Sequence, residues 1–314
     1  MQDRALTGAS WHQSEFDVDA YLALLGLGRA HPSLELLEAL HQAHVATIPF
    51  ANVDVLLGSH PGVAPAAVQR QLVGLGRGGY CFEHAQLFAG ALEDLGFGVR
   101  RHLGRVHSPQ GTRTHMTVVA QVEGDRFFSD PGFGFSIRGP LPMSDGAHRD
   151  EGGRLFELRR SVVDGAKLWG LYRDGDLQHL TDLLPVQPVD VRTGHVITST
   201  SAGSGRFIRH LVASRFTGDG HVTITESTRT VRVPGRPTQH EQITAGQAVD
   251  QVCELGIRLV DDEPQRLLRV LEGLREDQDR EGQNPEDQDP EEQDGEDQDP
   301  EDQDGAGQKR DGHD

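Results

Sequence analysis

The segment from Arg77 to Phe88 constrains this chain most strongly, because it presents a thiol at the start of a helix. Cys81, one of two cysteines, follows a glycine pair and opens a stretch whose apolar residues recur at helical spacing until Gly96. A free cysteine has a pKa of ~8.5 and is mostly protonated at neutral pH, whereas the nucleophile is the thiolate. A helix terminus stabilises the thiolate by at most ~2 kcal/mol, which is too little to ionise the thiol. A catalytic Cys81 therefore requires a nearby cation, usually an imidazolium.

A histidine and an acidic residue follow in a predicted hairpin. His115 begins an apolar, β-branched run, and a turn at Glu123-Gly124 leads into a second run that ends at Asp130. With a two-residue loop, Thr117 faces Asp130, and His115 is its diagonal neighbour on the same face, about 7 to 8 Å away. A one-residue slip would put them on opposite faces. A triad of Cys81, His115 and Asp130 therefore depends on this register.

Four motifs resemble, in order and spacing, the arylamine N-acetyltransferase family. They are Ile48-Pro49-Phe50-Ala51-Asn52-Val53-Asp54, Arg77-Gly78-Gly79-Tyr80-Cys81-Phe82-Glu83, Thr114-His115 and Asp130-Pro131-Gly132-Phe133-Gly134. The resemblance extends from about Phe16 to about Leu274. Two positions depart from it: Pro131 stands where Val is more usual, and Ala51 where Glu is common. Pro131 fixes φ and removes a backbone donor beside Asp130.

The resemblance implies an α+β fold with a Cys-His-Asp triad like that of papain-like and transglutaminase-like enzymes. It implies an N-terminal helical bundle, a central β-barrel and a C-terminal α/β lid. We expect the bundle with the nucleophile over residues 1–96, the barrel with His115 and Asp130 over 97–190, and the lid over 191–275. Strand signals between residues 98 and 184 agree with a barrel.

The activity implied by the resemblance is N-acetylation of arylamines and arylhydrazines by acetyl-CoA, in a ping-pong mechanism through an acetyl-cysteine thioester. Cys81 is then the nucleophile, His115 the base and Asp130 the orienting carboxylate. The residues expected to bind substrate or cofactor are Phe50, Thr114, Gly132, Phe133 and Gly134. Acetyl-CoA enters as a co-substrate, and we expect no permanently bound cofactor and no metal. Arg206 and Arg209 are candidates for the CoA phosphates, without a motif behind them.

Other readings of the same residues stay open. A macrolactam-forming amide synthase of antibiotic biosynthesis resembles this family in fold and triad, and needs a wider cleft and no CoA. A non-enzymatic binder would not require the three triad residues, and a papain-type protease is disfavoured because Asp130 stands where Asn is usual. A zinc site is the remaining rival, built on Cys81 and His84 with histidines downstream, namely His102, His107 and His115.

Three further side chains receive structural interpretations. His84, if it binds no zinc, is expected either to be solvated or to support the site from behind. Arg77 and Glu83 are interpreted as a pair behind the cysteine, because buried charges require partners. Cys253 lies in a predicted late helix and is interpreted as a small buried apolar residue.

The net charge of −19 comes mostly from the C-terminal end. Residues 276–314 carry 18 acidic and 3 basic side chains, which leaves −4 for the rest of the chain. Six pentads of the form Glu-x-Gln-x-(Arg/Pro/Gly) fill residues 276–305, and such a tail is expected to be disordered and solubilising. No basic run indicates nucleic acid, and no apolar stretch approaches ~18 residues.

These compositional features predict a soluble, intracellular protein, which we expect in the cytoplasm. The resemblance implies small-molecule substrates, namely an arylamine or hydrazine acceptor and an acyl-CoA donor. We expect no nucleic acid, no membrane and no evident protein partner. Two cysteines do not form a disulfide framework in such a chain. Beyond the motifs, we predict helices near 20–25, 33–48, 66–73, 81–95, 245–255 and 264–274. Strands are predicted at 99–106, 115–130 with its turn, 155–162, 167–180 with a turn at 174–175, 207–216 and 221–233.

Overall fold

A computed structural model describes residues 10–151, 153–200, 206–218 and 220–282 of the chain. Its N-terminal part is helical, with short 3₁₀ and π turns at Gln13–Glu15 and Gln69–Gly74. The helices there are α1 (Val18–Leu25), α2 (Leu34–Thr47), α3 (Val53–Leu56), α4 (Pro65–Val68) and α5 (Cys81–Asp94). The side chains of Asp17 and Ser33 cap α1 and α2, as their positions before apolar runs predict. Helix α5 lies at the centre, since every residue from Cys81 to Leu92 is buried.

The barrel is an antiparallel sheet in which eight strands can be followed through the described residues, in the order β5-β4-β3-β2-β9-β8-β7-β6. Its two edge strands, β5 and β6, lie close together, so the barrel is nearly closed. The strands are β2 (Gly98–Val106), β3 (His115–Val122), β4 (Asp125–Ser129), β5 (Leu141–Pro142), β6 (Ala147–Asp150), β7 (Leu155–Val163), β8 (Ala166–Arg173) and β9 (Asp176–Thr181). This arrangement confirms the predicted α+β fold and the central β-barrel.

A second antiparallel sheet joins the two ends of the described chain. Its first strand, β1 (Phe50–Ala51), comes from the helical part and pairs with β10, which places the Ile48 to Asp54 motif against the C-terminal sheet. The other strands are β10 (Ala213–Thr217), β11 (Gly220–Ile224), β12 (Thr228–Arg232) and β13 (Gln239–Gln242). Helices α8 (Ala245–Glu254) and α9 (Glu263–Gly282) follow, and an apolar cluster that includes Leu267 joins them to the sheet.

Several elements differ from the sequence prediction. The run 221–233 is two strands, because the Thr225 hydroxyl accepts from the Ser227 and Thr228 amides in a turn between them. Residues 207–216 begin with a short helix, α7 (Arg206–Arg209), before β10. The unpredicted helix α6 (Pro188–Ser199) is rich in β-branched residues with weak helix propensity. Close packing against α5 compensates for the weak helix propensity of α6, because a Cβ at Gly194 would lie only 2.5 Å from the Phe82 ring.

Two interpretations near the C-terminus are also corrected. Cys253 is exposed rather than buried, because the buried face of α8 is formed by Ala245, Ala248, Val249 and Val252, and residue 253 lies beside that face. Helix α9 continues to Gly282, so the first acidic pentad is helical. Residues 283–314, which hold the rest of the second pentad and the four pentads after it, lie outside the described residues. Of the helices that the structure describes, each is too short or too polar to cross a lipid bilayer.

Candidate active site

Glycines bring the segment before Cys81 into close contact with the Pro49 region. Gly78 has φ +69°, and a Cβ there would lie 2.7 Å from the Pro49 carbonyl oxygen. The Gly79 amide donates to that same oxygen at 3.3 Å, and the Gly79 carbonyl accepts from the Ala51 amide at 2.7 Å. The glycine pair therefore ties the start of α5 to β1, and Cys81 is the first residue of the helix.

The thiol of Cys81 is buried beside the start of β3. Its Sγ donates to the Thr114 carbonyl at 3.4 Å, directly before His115 in sequence. Only 5% of the residue is exposed, and burial, followed by the negative charge of Glu83, raises the pKa of the Cys81 thiol. The environment therefore favours the neutral thiol. Ionisation of Cys81 requires a group that accepts its proton.

His115 and Asp130 meet in the register that a two-residue loop requires. Val122 pairs with Asp125 across Glu123-Gly124, and the ladder continues to the Val118–Ser129 pair. The His115 Nε2 atom lies 2.9 Å from Asp130 Oδ1, and both side chains are buried. The register prediction is confirmed.

Asp130 has more partners than the hairpin supplies. Asp130 Oδ2 accepts hydrogen bonds from His179 Nε2 at 3.0 Å and from the Ser136 hydroxyl at 3.2 Å, while the Asp130 amide donates to His41 Nε2 at 3.2 Å. Burial opposes the charged carboxylate, but His115 and His179 outweigh it and hold the pKa of Asp130 below its usual range. Asp130 is therefore a carboxylate anion that accepts hydrogen bonds from three side chains: His115, His179 and Ser136.

Sequence reasoning missed three partners of Asp130, namely Ser136, His41 and His179, and His179 is the one that bonds the carboxylate through an imidazole. Burial lowers its pKa, so the imidazole is neutral, with Nε2 donating to Asp130 and Nδ1 accepting from the Thr181 hydroxyl at 3.3 Å. It lies on β9, which pairs with β2 rather than with the strand that carries His115. No local motif marks it, because only the strand order of the barrel brings β9 to Asp130.

The loop after Asp130 packs against both Cys81 and His115. A Cβ at Gly132 would lie 2.8 Å from Cys81 Cα and 2.9 Å from His84 Cβ, so this position excludes any side chain. The Phe133 ring meets the His115 ring edge-on at 5.0 Å and the His179 ring at 5.1 Å. The loop thus covers the imidazoles while its backbone approaches the thiol.

Phe50 and Gly134 line a small pocket beside the loop. Phe50 stacks on His84 with ring centroids 6.3 Å apart, and Gly134, at φ +84°, approaches the Ser214 hydroxyl. The other lining residues come from α2 and its end, from α5, from the loop after Asp130 and from β10: Val45, Ile48, His84, Pro131, Ser214, Arg215 and Phe216. Of the five predicted binding residues, Phe50 and Gly134 line this pocket and Phe133 packs against His115. Gly132 lies against Cys81, and Thr114 contacts the thiol through its carbonyl.

His84 is neither solvated nor grouped with the histidines of the zinc hypothesis. It is buried, its Nδ1 lies 2.7 Å from His44 Nε2, and its Nε2 lies near the Gly79 and Pro49 carbonyls. In the part of the chain that the structure describes, the residues close enough to form a metal-ligand group are His115, Asp130 and His179. Cys81 and His84 do not belong to that group.

The predicted pair of Arg77 and Glu83 is wrong. The Arg77 guanidinium bonds Asp54, Glu263 and the Arg258 carbonyl, whereas Glu83 bonds His60. The chain direction explains this difference: Gly78 turns the backbone so that Arg77 faces α9, while Glu83 lies in the first turn of α5. Each charge is satisfied by a long-range partner that sequence proximity does not indicate.

We expect two buried histidines, His41 and His84, to make the fold less stable in acid. Burial lowers the pKa of His41 and of His84 from 6.5 to about 4. In the unfolded chain each binds its proton near pH 6.5, so native stability is fully present above that pH and is lost as the pH falls toward about 4. Each buried histidine should lower the free energy of unfolding by about 1.4 kcal/mol per pH unit once the pH is well below 6.5.

Urea unfolding at pH 7.5, 6.0 and 5.0 measures this effect. Unfolded Asp and Glu titrate near pH 4, so losses between pH 7.5 and 5.0 report mainly on buried histidines. A free energy of unfolding that stays constant over this range would contradict the neutral, buried state of His41 and His84.

Comparison with known proteins identifies similar chains. A family model described as N-acetyltransferase matches residues 33–262. An arylamine N-acetyltransferase of Mycolicibacterium smegmatis is 31% identical over 258 residues, covering 78% of this chain and 93% of that protein. The solved arylamine N-acetyltransferase of Mycobacterium abscessus has a TM-score of 0.78 and 28% identity, covering 85% of this chain and 99% of that one.

A further solved structure contains a ligand. It is the Mycobacterium marinum arylamine N-acetyltransferase in complex with CoA, with a TM-score of 0.74, 26% identity, and coverage of 82% of this chain and 99% of that one. These relatives are all described as arylamine N-acetyltransferases. They give the amide-synthase alternative no support.

Proposed function

The chain belongs to the arylamine N-acetyltransferase family, and on that premise we propose that it transfers an acetyl group from acetyl-CoA to the nitrogen of arylamines and arylhydrazines. It is an acetyltransferase enzyme. Acetyl-CoA serves as the co-substrate, and the cytoplasm is the proposed compartment. The observation that carries the proposal is a buried thiol at a helix start, beside a strand whose first residue, His115, is bonded to a carboxylate.

In the first half-reaction, Cys81 becomes acetylated. Since His115 Nε2 faces Asp130, its Nδ1 is the nitrogen available to accept the Cys81 proton. The Cys81 sulfur attacks the thioester carbonyl carbon of acetyl-CoA, and the oxyanion forms near backbone N–H groups at the start of α5. The carbon–sulfur bond to CoA then breaks, and the CoA sulfur leaves with the proton from His115.

In the second half-reaction, the amine takes the place of CoA. Its nitrogen attacks the acetyl carbonyl carbon on Cys81, and His115 accepts the proton that the amine loses. The bond between carbon and the Cys81 sulfur breaks, and the sulfur recovers its proton as the amide product forms. CoA departs before the amine reacts, so the kinetics are ping-pong.

His179 acts in this mechanism as a positioning residue. It donates to Asp130 Oδ2 and leaves Oδ1 for His115, which fixes the carboxylate that holds the His115 tautomer. Phe50 in the pocket beside the loop and Phe133 against His115 supply aromatic surface for a flat acceptor ring. The acceptor is thus expected to stack rather than to form an ion pair.

Intact-protein mass spectrometry tests the proposal directly. Mixing the protein with acetyl-CoA and no acceptor should add one acetyl group to the wild type and none to Cys81→Ala. The exposed Cys253 provides the matched control, and Cys253→Ala should acquire the group as the wild type does. An arylamine or a hydrazine should then remove it. No adduct on the wild type would refute the proposal, and an adduct on Cys81→Ala would identify a different nucleophile.

A further inference from the structure

Two buried histidines on helix α2 bond different parts of the active site. His41 and His44 are one turn apart on the same face of the helix, and both are fully buried. His41 Nε2 accepts from the Asp130 amide at 3.2 Å. His44 Nε2 lies 2.7 Å from Nδ1 of His84, which belongs to α5, the helix that begins at Cys81. One face of α2 therefore contacts both the carboxylate side and the thiol side of the site.

The hydrogen bonds of His44 and His84 form a chain with a single direction. His84 Nε2 lies 3.1 Å from the Gly79 carbonyl oxygen and 3.2 Å from that of Pro49, and carbonyl oxygens only accept, so Nε2 carries the ring proton. In a neutral ring, Nδ1 of His84 must then accept from His44 Nε2. This leaves His44 Nδ1 to accept from the Tyr21 hydroxyl at 2.8 Å. The chain thus runs from Tyr21 through both imidazoles to the Gly79 carbonyl.

Burial keeps the side chains of this arrangement neutral. It lowers the pKa of His41 and His84 to about 4 and that of His44 well below its usual range. It also raises the pKa of Tyr21, which therefore keeps its hydroxyl proton. Each neutral imidazole has one donor and one acceptor nitrogen. His41, whose Nε2 accepts, carries its proton on Nδ1, whereas His44 and His84 carry theirs on Nε2. We call these three histidines the imidazole network.

The imidazole network ends on backbone groups close to the thiol and to the carboxylate. The Gly79 carbonyl that accepts from His84 also accepts from the Ala51 amide at 2.7 Å, so it joins β1 to the start of α5. A Cβ at Gly132 would lie 2.9 Å from His84 Cβ, so His84 also packs against the loop after Asp130. The network therefore acts on the site through the backbone, from both sides.

We propose that the imidazole network fixes the position of Cys81 relative to Asp130, an inference that rests on the proposed function. The thiol must lie within reach of His115, which is bonded to Asp130. A misplacement of about 1 Å between reacting groups costs on the order of a hundredfold in rate. Bonding the thiol side and the carboxylate side to one helix limits their relative movement. The three histidines are thus positioning residues, which act on the chemical step and not on the binding of acetyl-CoA.

The rate of Cys81 acetylation, measured with acetyl-CoA and no acceptor, tests this role. His84→Leu removes the hydrogen bonds to His44 and Gly79, and His41→Leu removes the acceptor of the Asp130 amide. Each should lower the rate at saturating acetyl-CoA about tenfold or more, with the half-saturating concentration unchanged. Gln can both donate and accept, so His84→Gln should recover most of the lost rate.

His102→Leu is the matched control for a buried histidine outside the imidazole network. His102 lies on β2, and burial likewise lowers its pKa to about 4. Its replacement should leave the acetylation rate of the folded protein unchanged. Wild-type rates in folded His41→Leu and His84→Leu would overturn the proposal. A rate of His84→Gln as low as that of His84→Leu would also overturn it.

Nitrogen NMR spectra of the full chain with isotope-labelled histidines test the network without turnover. Correlations of the ring nitrogens with the carbon-bound ring protons show which nitrogen carries the proton. At pH 7.5 we expect Nδ1–H in His41 and Nε2–H in His44 and His84, each assigned by the loss of its signal in the Gln variant. Any other tautomer at these positions would overturn the network. A wild type that acetyl-CoA does not acetylate would refute the proposed function, while the spectra would still decide whether the network exists.

Discussion

Asp130→Asn is expected to lower the rate of Cys81 acetylation by about four orders of magnitude while the chain stays folded. The carboxylate accepts from three donors, His115, His179 and Ser136, and Asn offers a single acceptor oxygen and two N–H donors. One imidazole must then present an acceptor nitrogen to the new amide. If that imidazole is His115, its Nδ1 carries the proton and cannot accept the one from Cys81.

Stopped-flow measurement of the acetylation step, with acetyl-CoA and no acceptor, checks this prediction. Ser136→Ala is the matched control, because it removes one donor and leaves both imidazoles bonded to the carboxylate. We expect that variant to slow acetylation by about tenfold at most. Circular dichroism of both variants should match the wild type. Comparable rates for Asp130→Asn and Ser136→Ala would show that the charge and tautomer of this pair do not limit the reaction.

The parts of the fold that sequence predicts well are those encoded by short-range patterns. Apolar residues at helical spacing give α5, and a two-residue turn fixes the register of β3 and β4, which brings His115 and Asp130 together. The glycines at 78, 79 and 132 mark close backbone approaches, and each would place a Cβ within 3.0 Å of another atom. Local backbone chemistry therefore carries much of the site.

The parts that sequence misses depend on distant elements. His179 reaches Asp130 only through the strand order of the barrel, and His44 bonds His84 only because α2 contacts α5. Helix α6 has weak intrinsic propensity and forms against Phe82. Sequence reasoning required a cation near Cys81, but it did not indicate that burial and Glu83 raise the pKa of the thiol. The ion-pair partners and the burial of a side chain depend on the tertiary fold, so residue spacing in the sequence does not predict them.

The ion pairs of Arg77 provide the largest expected effect on stability. Arg77 is 7% exposed and bonds Asp54 and Glu263, so it joins the loop before Cys81 to α3 and to α9. Arg77→Gln would leave two carboxylates in a largely buried place without their cation. Removing one partner of a buried ion pair typically costs about 3 to 5 kcal/mol. We expect a loss of about 3 kcal/mol or more in the free energy of unfolding, measured by urea denaturation.

Arg29→Gln is the matched control for this prediction. Arg29 also bonds two carboxylates, Asp19 and Asp94, but its side chain is 49% exposed, and water takes over the role of the lost partner. The urea midpoint of that variant should stay close to that of the wild type. Equal midpoints for the two variants would contradict the argument from burial. A large loss confined to Arg77→Gln would show that the loop before the nucleophile is held in place by its buried ion pairs with α3 and with α9, the latter about 180 residues away in sequence.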